Sequence, residues 1–205
     1  MTHPGSPDDA APQLILASSS PRRRELLNQI GIDHEVIPPH LDEAAFTEDD
    51  PVELVQTLAV AKAETVRIAA PGASQRWILA ADTVVVVAGH ILGKPSDRAQ
   101  AAAMIRELSG RTHSVVTGIA IWPPLVAKPT VRVAETSVSF ANLTAEEIER
   151  YLETNDWEGA AGAYRIQGRA GLYVEWLSGS YSNVVGLPIH LVYSIFTEHG
   201  YQGLR

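Results

Sequence analysis

The chain has 205 residues and a mass of 22.1 kDa, with 45% hydrophobic and 20% charged residues. It is therefore large enough for a substantial core and too ordinary in composition for wholesale disorder or a fibrous rod. It contains no cysteine, which excludes disulfides, thiolate metal sites and cysteine nucleophiles. The net charge of −8 argues against broad binding to nucleic acid or to an anionic membrane surface.

Residues 1–12 are rich in Pro, Gly, Ser and Asp and read as a flexible tail without a secretory pattern, so the protein is expected to be soluble and cytoplasmic. Residues 13–205 read as a single α/β domain, with two lobes around a cleft. LILA (14–17) predicts a strand, followed by a helix with Ser20 as N-cap and Pro21 at its first position. Leu26, Leu27 and Ile30 are expected inward, and Gly31 stops the helix. A second helix opens at Asp50-Pro51 and runs to about Ile68. WILAADTVVVV predicts a long strand, Ala88-Gly89-His90 a turn, and the next residues a short return strand.

A helix over 97–109 ends at Gly110, and strands follow over 113–122 and 131–140. Thr144 and Glu147 have the spacing of a capping box for a helix near 145–154. Strand-like patterns recur near 164–167, 172–177 and 181–185, and Pro188 begins a final helix that Gly200 ends.

GHILGKP is not a phosphate-binding P-loop: Gly89 and Gly93 are one residue too close, and Pro95 replaces the hydroxyl residue that would hold magnesium. Three positions carry more chemical information. Ser18, Arg22 and Arg23 cluster at a helix entrance, where free N–H groups and guanidinium donors suit a phosphate; a plain N-cap with exposed arginines is the alternative. Lys62 lies four residues from Leu58 and seven from Val55, placing an ammonium on an apolar helix face. Snorkelling would explain this, as would a bound phosphate or carboxylate.

Asp82 interrupts a buried β-pattern, where an unpaired carboxylate would cost about several kcal/mol. It needs a metal, a water to activate or a cation, and an internal salt bridge is the structural alternative. Lys94, fixed by Pro95, is placed to return beside this strand. Glu43 stands in an acidic stretch that is either solvated or a second metal-holding carboxylate. Gln167, in GAYRIQG, has an amide that can both donate to and accept from a base edge.

Taken together, LASSSPRRRELL, LDE, LAVAKA, ADTVVV, GKPSD, LSGRTHSVVTG, GAYRIQG and SYSNVVGLP resemble the Maf family, the septum-formation inhibitor proteins, across residues 14–190. The resemblance implies a fold related to inosine-triphosphate pyrophosphatases, an elongated mixed sheet with flanking helices and a cleft between two lobes. It also implies hydrolysis of a nucleoside triphosphate between its α and β phosphates, with a divalent cation (Mg²⁺ or Mn²⁺) and a homodimeric state.

Carried over by position, the resemblance makes Asp82 the proton acceptor and a metal ligand with Glu43. It makes Ser18, Arg23, Lys62 and Lys94 phosphate contacts, and Arg22, Thr83 and Gln167 residues of substrate choice. ADT, GKPSD and AYRIQG are similar to the branch acting on dTTP and UTP. The rival readings are an enzyme for 7-methyl-guanosine or inosine triphosphate, or a nucleotide-binding regulator of cell division. Ala161 departs from the family pattern, which often has lysine there.

Overall fold

A computed structural model describes residues 13–203; the tail expected at 1–12 lies outside the described residues. The framework is a seven-stranded mixed sheet of β1 (Leu14–Leu16), β2 (His34–Val36), β3 (Trp77–Val87), β4 (His90–Leu92), β5 (Thr112–Trp122), β6 (Thr130–Phe140) and β7 (Val174–Ser178). The order is β2-β1-β3-β5-β6-β7, with β4 paired to β3. β1 is parallel to β2 and β3, and the remaining pairs are antiparallel.

Along one edge of β3, β1 pairs with Trp77–Leu79 and β4 pairs with Val85–Val87. Ala80–Val84 lie between these two short strands, so the sheet divides there, and Asp82 sits in the middle of the division. Its opposite edge is paired without interruption to β5, which fixes Asp82 across from Gly118 and Thr83 across from Thr117.

Side chains alternate across the sheet. Ile78 and Ala80 face the helix α2 (Pro51–Ala69), which buries Val55, Leu58, Ala59, Lys62, Ala63 and Val66. Leu79, Ala81, Val85 and Val87 enter the larger core on the other side. That core also takes in buried residues of α1 (Pro21–Gln29), α3 (Arg98–Leu108), α4 (Ala145–Leu152), α5 (Tyr181–Val185) and α6 (Ile189–Glu198). Consecutive residues of β3 therefore present Asp82 toward α2 and Thr83 toward the opposite layer.

Four expectations are corrected. Residues 181–185 form α5 because Ser180 accepts a hydrogen bond from the Asn183 amide and Gly186, with φ 118°, ends the turn; the two valines mimic a strand. Residues 164–167 form no strand: 166–168 are a turn, and the backbone just before them is bent by positive φ at Gly162 and Ala163. The strand expected at 172–177 begins at Val174, and Ile30 is 42% exposed because it is already the C-cap of α1. β2 was not expected: only pairing with β1 makes His34–Val36 a strand.

Candidate functional site

All nine sequence-selected residues line one cavity of about 330 Å³: Ser18, Arg22, Arg23, Glu43, Lys62, Asp82, Thr83, Lys94 and Gln167. They come from the β1–α1 loop, the first turn of α1, the short helical turn Glu43–Ala45, α2, β3, the segment after β4 and the segment before β7. The cavity opens where the sheet divides.

On the α2 side, the Lys62 ammonium donates to Asp82 Oδ1 at 2.5 Å and pairs with Glu43 Oε1 at 2.8 Å. Lys62 and Asp82 are 4% and 5% exposed, so this pair is desolvated and mutually compensated. Lys94, exposed at the cavity mouth, donates to Glu43 Oε2 at 3.1 Å. It therefore returns toward Glu43. Burial acts to raise Glu43, but the hydrogen bond and charge of Lys62, then Lys94, hold its carboxyl below the ordinary value.

On the opposite layer, Arg23 is buried and held by three neutral acceptors, with donors left over for a ligand. Its Nε donates to Gly186 O at 2.7 Å, Nη2 to Thr83 Oγ1 at 3.0 Å and Nη1 to Ser18 Oγ at 3.3 Å. Ser18 Oγ also accepts from the Ser20 amide at 3.1 Å. Burial pushes Arg23 below its ordinary value, opposed by the charges of Asp82 and Glu43. Thr83 and Thr117 hydroxyls are 2.9 Å apart, and Thr117 donates onward to Asn183 O at 3.4 Å. A chain of hydroxyls thus fixes the arginine while its charge faces the carboxylates.

The two carboxylates Glu43 and Asp82 both contact the Lys62 ammonium, so they converge on one part of the cavity. No cluster of three or more His, Cys, Asp or Glu suitable for a metal occurs among the described residues. Two hard carboxylates suit a magnesium-type ion completed by substrate phosphates better than a cage made of protein alone. Glu43 and Asp82 are the residues that would hold the divalent cation the resemblance implies.

The sequence selection omits Tyr164 and Arg165, which also line the cavity. Tyr164 is held by His113, whose Nε2 lies 2.9 Å from the phenolic oxygen. Both omitted residues stand within three positions of Gln167, in the GAYRIQG segment already singled out, so the signal was present beside the chosen amide. Ala161 lines the cavity as well.

Residues 13–199 match the family described as Maf-like protein. The chain is 51% identical over 191 residues to a dTTP/UTP pyrophosphatase of Symbiobacterium thermophilum, covering 92% of this chain and 95% of that protein. It is 42% identical over 192 residues to a dTTP/UTP pyrophosphatase of Pelotomaculum thermopropionicum, covering 94% and 99%. Among solved structures, the Staphylococcus aureus Ham1 protein aligns with a TM-score of 0.49 and 16% identity, over 91% of this chain and 98% of that one.

Proposed function

Since the chain belongs to the Maf family, we propose that it is a nucleoside triphosphate pyrophosphatase that converts dTTP and UTP to the monophosphate and pyrophosphate. The observation that carries this reading is a desolvated carboxylate, Asp82, opening on a cation-lined cavity at the division of the sheet.

In the proposed reaction a water oxygen bonds to the α-phosphorus while the bond from that phosphorus to the α-β bridging oxygen breaks. The electron pair departs with pyrophosphate. Asp82 accepts the proton of the attacking water, held in place by its bond to Lys62. Negative charge grows on the departing group, and Lys62, Lys94 and Arg23 stabilise it there. Ser18 and the start of α1 supply hydrogen-bond donors to phosphate oxygens. Glu43 and Asp82 would hold the divalent cation, Mg²⁺ or Mn²⁺, which when bound neutralises phosphate charge. Arg22, Thr83 and Gln167 set substrate choice; Thr83 acts through its grip on Arg23.

The same reading treats residues 13–205 as one domain whose two lobes flank the cavity, supported by the sheet they share. No helix among the described residues is long and apolar enough to cross a membrane. A cytoplasmic location is supported by the cysteine-free composition. A homodimer is supported by the apolar surface around Ile30, Ile189 and Tyr193, and light scattering of the purified protein tests it.

The decisive experiment incubates the protein with dTTP, UTP, CTP, inosine triphosphate and 7-methyl-guanosine triphosphate, with magnesium or manganese, and identifies the products. Monophosphate and pyrophosphate from dTTP and UTP are expected. Tight binding without product overturns the enzymatic reading in favour of a nucleotide sensor.

A further inference from the structure

Residues 158–167 form a wall of the cavity on which two guanidiniums converge. Arg22 Nη2 donates to Gly159 O at 2.9 Å, and Arg165 Nη2 donates to Glu158 O at 2.6 Å. The two cations are thus anchored on consecutive carbonyls of one loop. Their proximity is unfavourable: Arg22 is lowered to about 10, through burial first, then the charges of Arg165 and Arg23. Arg22 and Arg165 are held by backbone carbonyls, whereas Lys62, Lys94, Glu43 and Asp82 bond to one another. The Arg22–Arg165 pair therefore stands apart from the lysine–carboxylate cluster.

Arg165 is anchored without being saturated. Its acidic neighbour Asp156 lies 3.8 Å away, beyond hydrogen-bond reach, and the other carboxylate oxygen of Asp156 accepts from the Arg169 amide at 3.2 Å. The Nε of Arg165 is buried and has no acceptor. A guanidinium carries donors only, so what completes this arrangement must be an acceptor. Gln167, two residues further on, faces the same space.

We infer that Arg165 is a substrate-contacting, specificity-determining residue which, together with Arg22, donates hydrogen bonds to the O4 carbonyl oxygen of the pyrimidine base, the one that cytosine lacks. This rests on the pyrophosphatase reading above. Uracil and thymine present two ring carbonyls, whereas cytosine replaces one with an amino group, which is itself a donor. Donor against donor leaves both unpaired once the base is seated, and such mismatches support stronger discrimination than shape alone. The cations grouped around Asp82 are placed for the phosphates, which leaves this separate pair for the other end of the nucleotide.

The test is steady-state kinetics on UTP and CTP for the wild type, Arg165→Ala and Arg165→Lys, with melting temperatures to verify folding. We expect Arg165→Ala to lower the UTP-to-CTP ratio of kcat/KM by about tenfold, the worth of one lost specific base contact. The change should lie mainly in KM for UTP, with kcat within about threefold. Arg165→Lys keeps the charge and a donor for the Glu158 carbonyl, so it should fold, yet it loses the fork and should lose the preference as well.

A UTP-to-CTP ratio unchanged in Arg165→Ala overturns the inference. So does full recovery of UTP kinetics and of the ratio in Arg165→Lys, since a point charge that suffices indicates a phosphate contact. If the wild type itself releases no pyrophosphate from UTP, the pyrophosphatase reading fails first and takes the inference with it; turnover with an indifferent ratio defeats the inference alone.

Discussion

Lys62 and Asp82 approach from α2 and β3 to form a buried ion pair with an N–O separation of 2.5 Å, at the point where neither β1 nor β4 covers the edge of β3. The pair has two separable consequences, one for chemistry and one for stability. Asp82→Asn is nearly isosteric and leaves Lys62 its contact with Glu43 at 2.8 Å. Pyrophosphate release should fall by about 10³-fold, the scale of a lost general base, with little change in the urea midpoint. Activity near that of the wild type in the folded variant would remove Asp82 from the proton-accepting role.

Lys62→Met should behave differently. It strips a buried carboxylate of its cation, a change that costs about 3–5 kcal/mol in comparable buried pairs. Combining it with Asp82→Asn removes the charge left behind, so the double variant should be more stable than Lys62→Met alone although both are inactive. Denaturant unfolding of the two single variants and the double reads the coupling. Strict additivity would mean that the two side chains do not compensate one another.

The position of Lys62 depends on how closely α2 approaches the sheet, and Gly118 sets that approach. A Cβ at Gly118 would overlap the carbonyl oxygen and carbon of Val55, which are backbone atoms of α2 and cannot rotate away. Gly118 is also the partner of Asp82 across the β3–β5 ladder. Gly118→Ala should therefore lift α2, cost about 1–3 kcal/mol of stability by overpacking, and lower kcat by separating Lys62 from Asp82. Unfolding curves and turnover measured together check this. A variant with intact stability and turnover would show that the helix has room to spare.

These relationships explain what a sequence can and cannot disclose. Asp82 and Lys62 stand out because each places a charge where periodicity demands an apolar residue, and the structure brings the two misfits together. The main helices and the long strands follow equally well from caps and alternation, as at Asp50, which accepts from the amides of Val52 and Glu53. Gly118 gives no such signal: its meaning lies in the backbone of a helix more than sixty residues away.

The pairing of Arg165 with Arg22 is equally hidden, since it arises from two adjacent carbonyls on a loop bent by positive φ at Gly159 and Gly162. The segment 181–185 misleads for a local reason. Its valines favour a strand, but the Ser180 cap and the Gly186 stop outweigh them.

His113 supplies the pH dependence. It is 3% exposed, packs edge-on against Phe140 and Tyr164, and lies 2.9 Å from the Tyr164 hydroxyl through Nε2. Burial lowers its pKa from 6.5 to about 4, with the Arg111 backbone opposing. Between those values the unfolded chain binds a proton that the folded chain refuses, so stability falls as pH falls through this window and levels off below it. The contribution lost is about 3 kcal/mol over the full range.

His113→Gln keeps a polar partner for Tyr164 but cannot titrate there. The difference in unfolding free energy between wild type and variant, measured by urea at a series of pH values from 7 to 4, should drift steadily in favour of the variant on acidification. Parallel curves would mean that His113 is charged alike in both states, and that the acid sensitivity of the fold resides in its paired carboxylates instead.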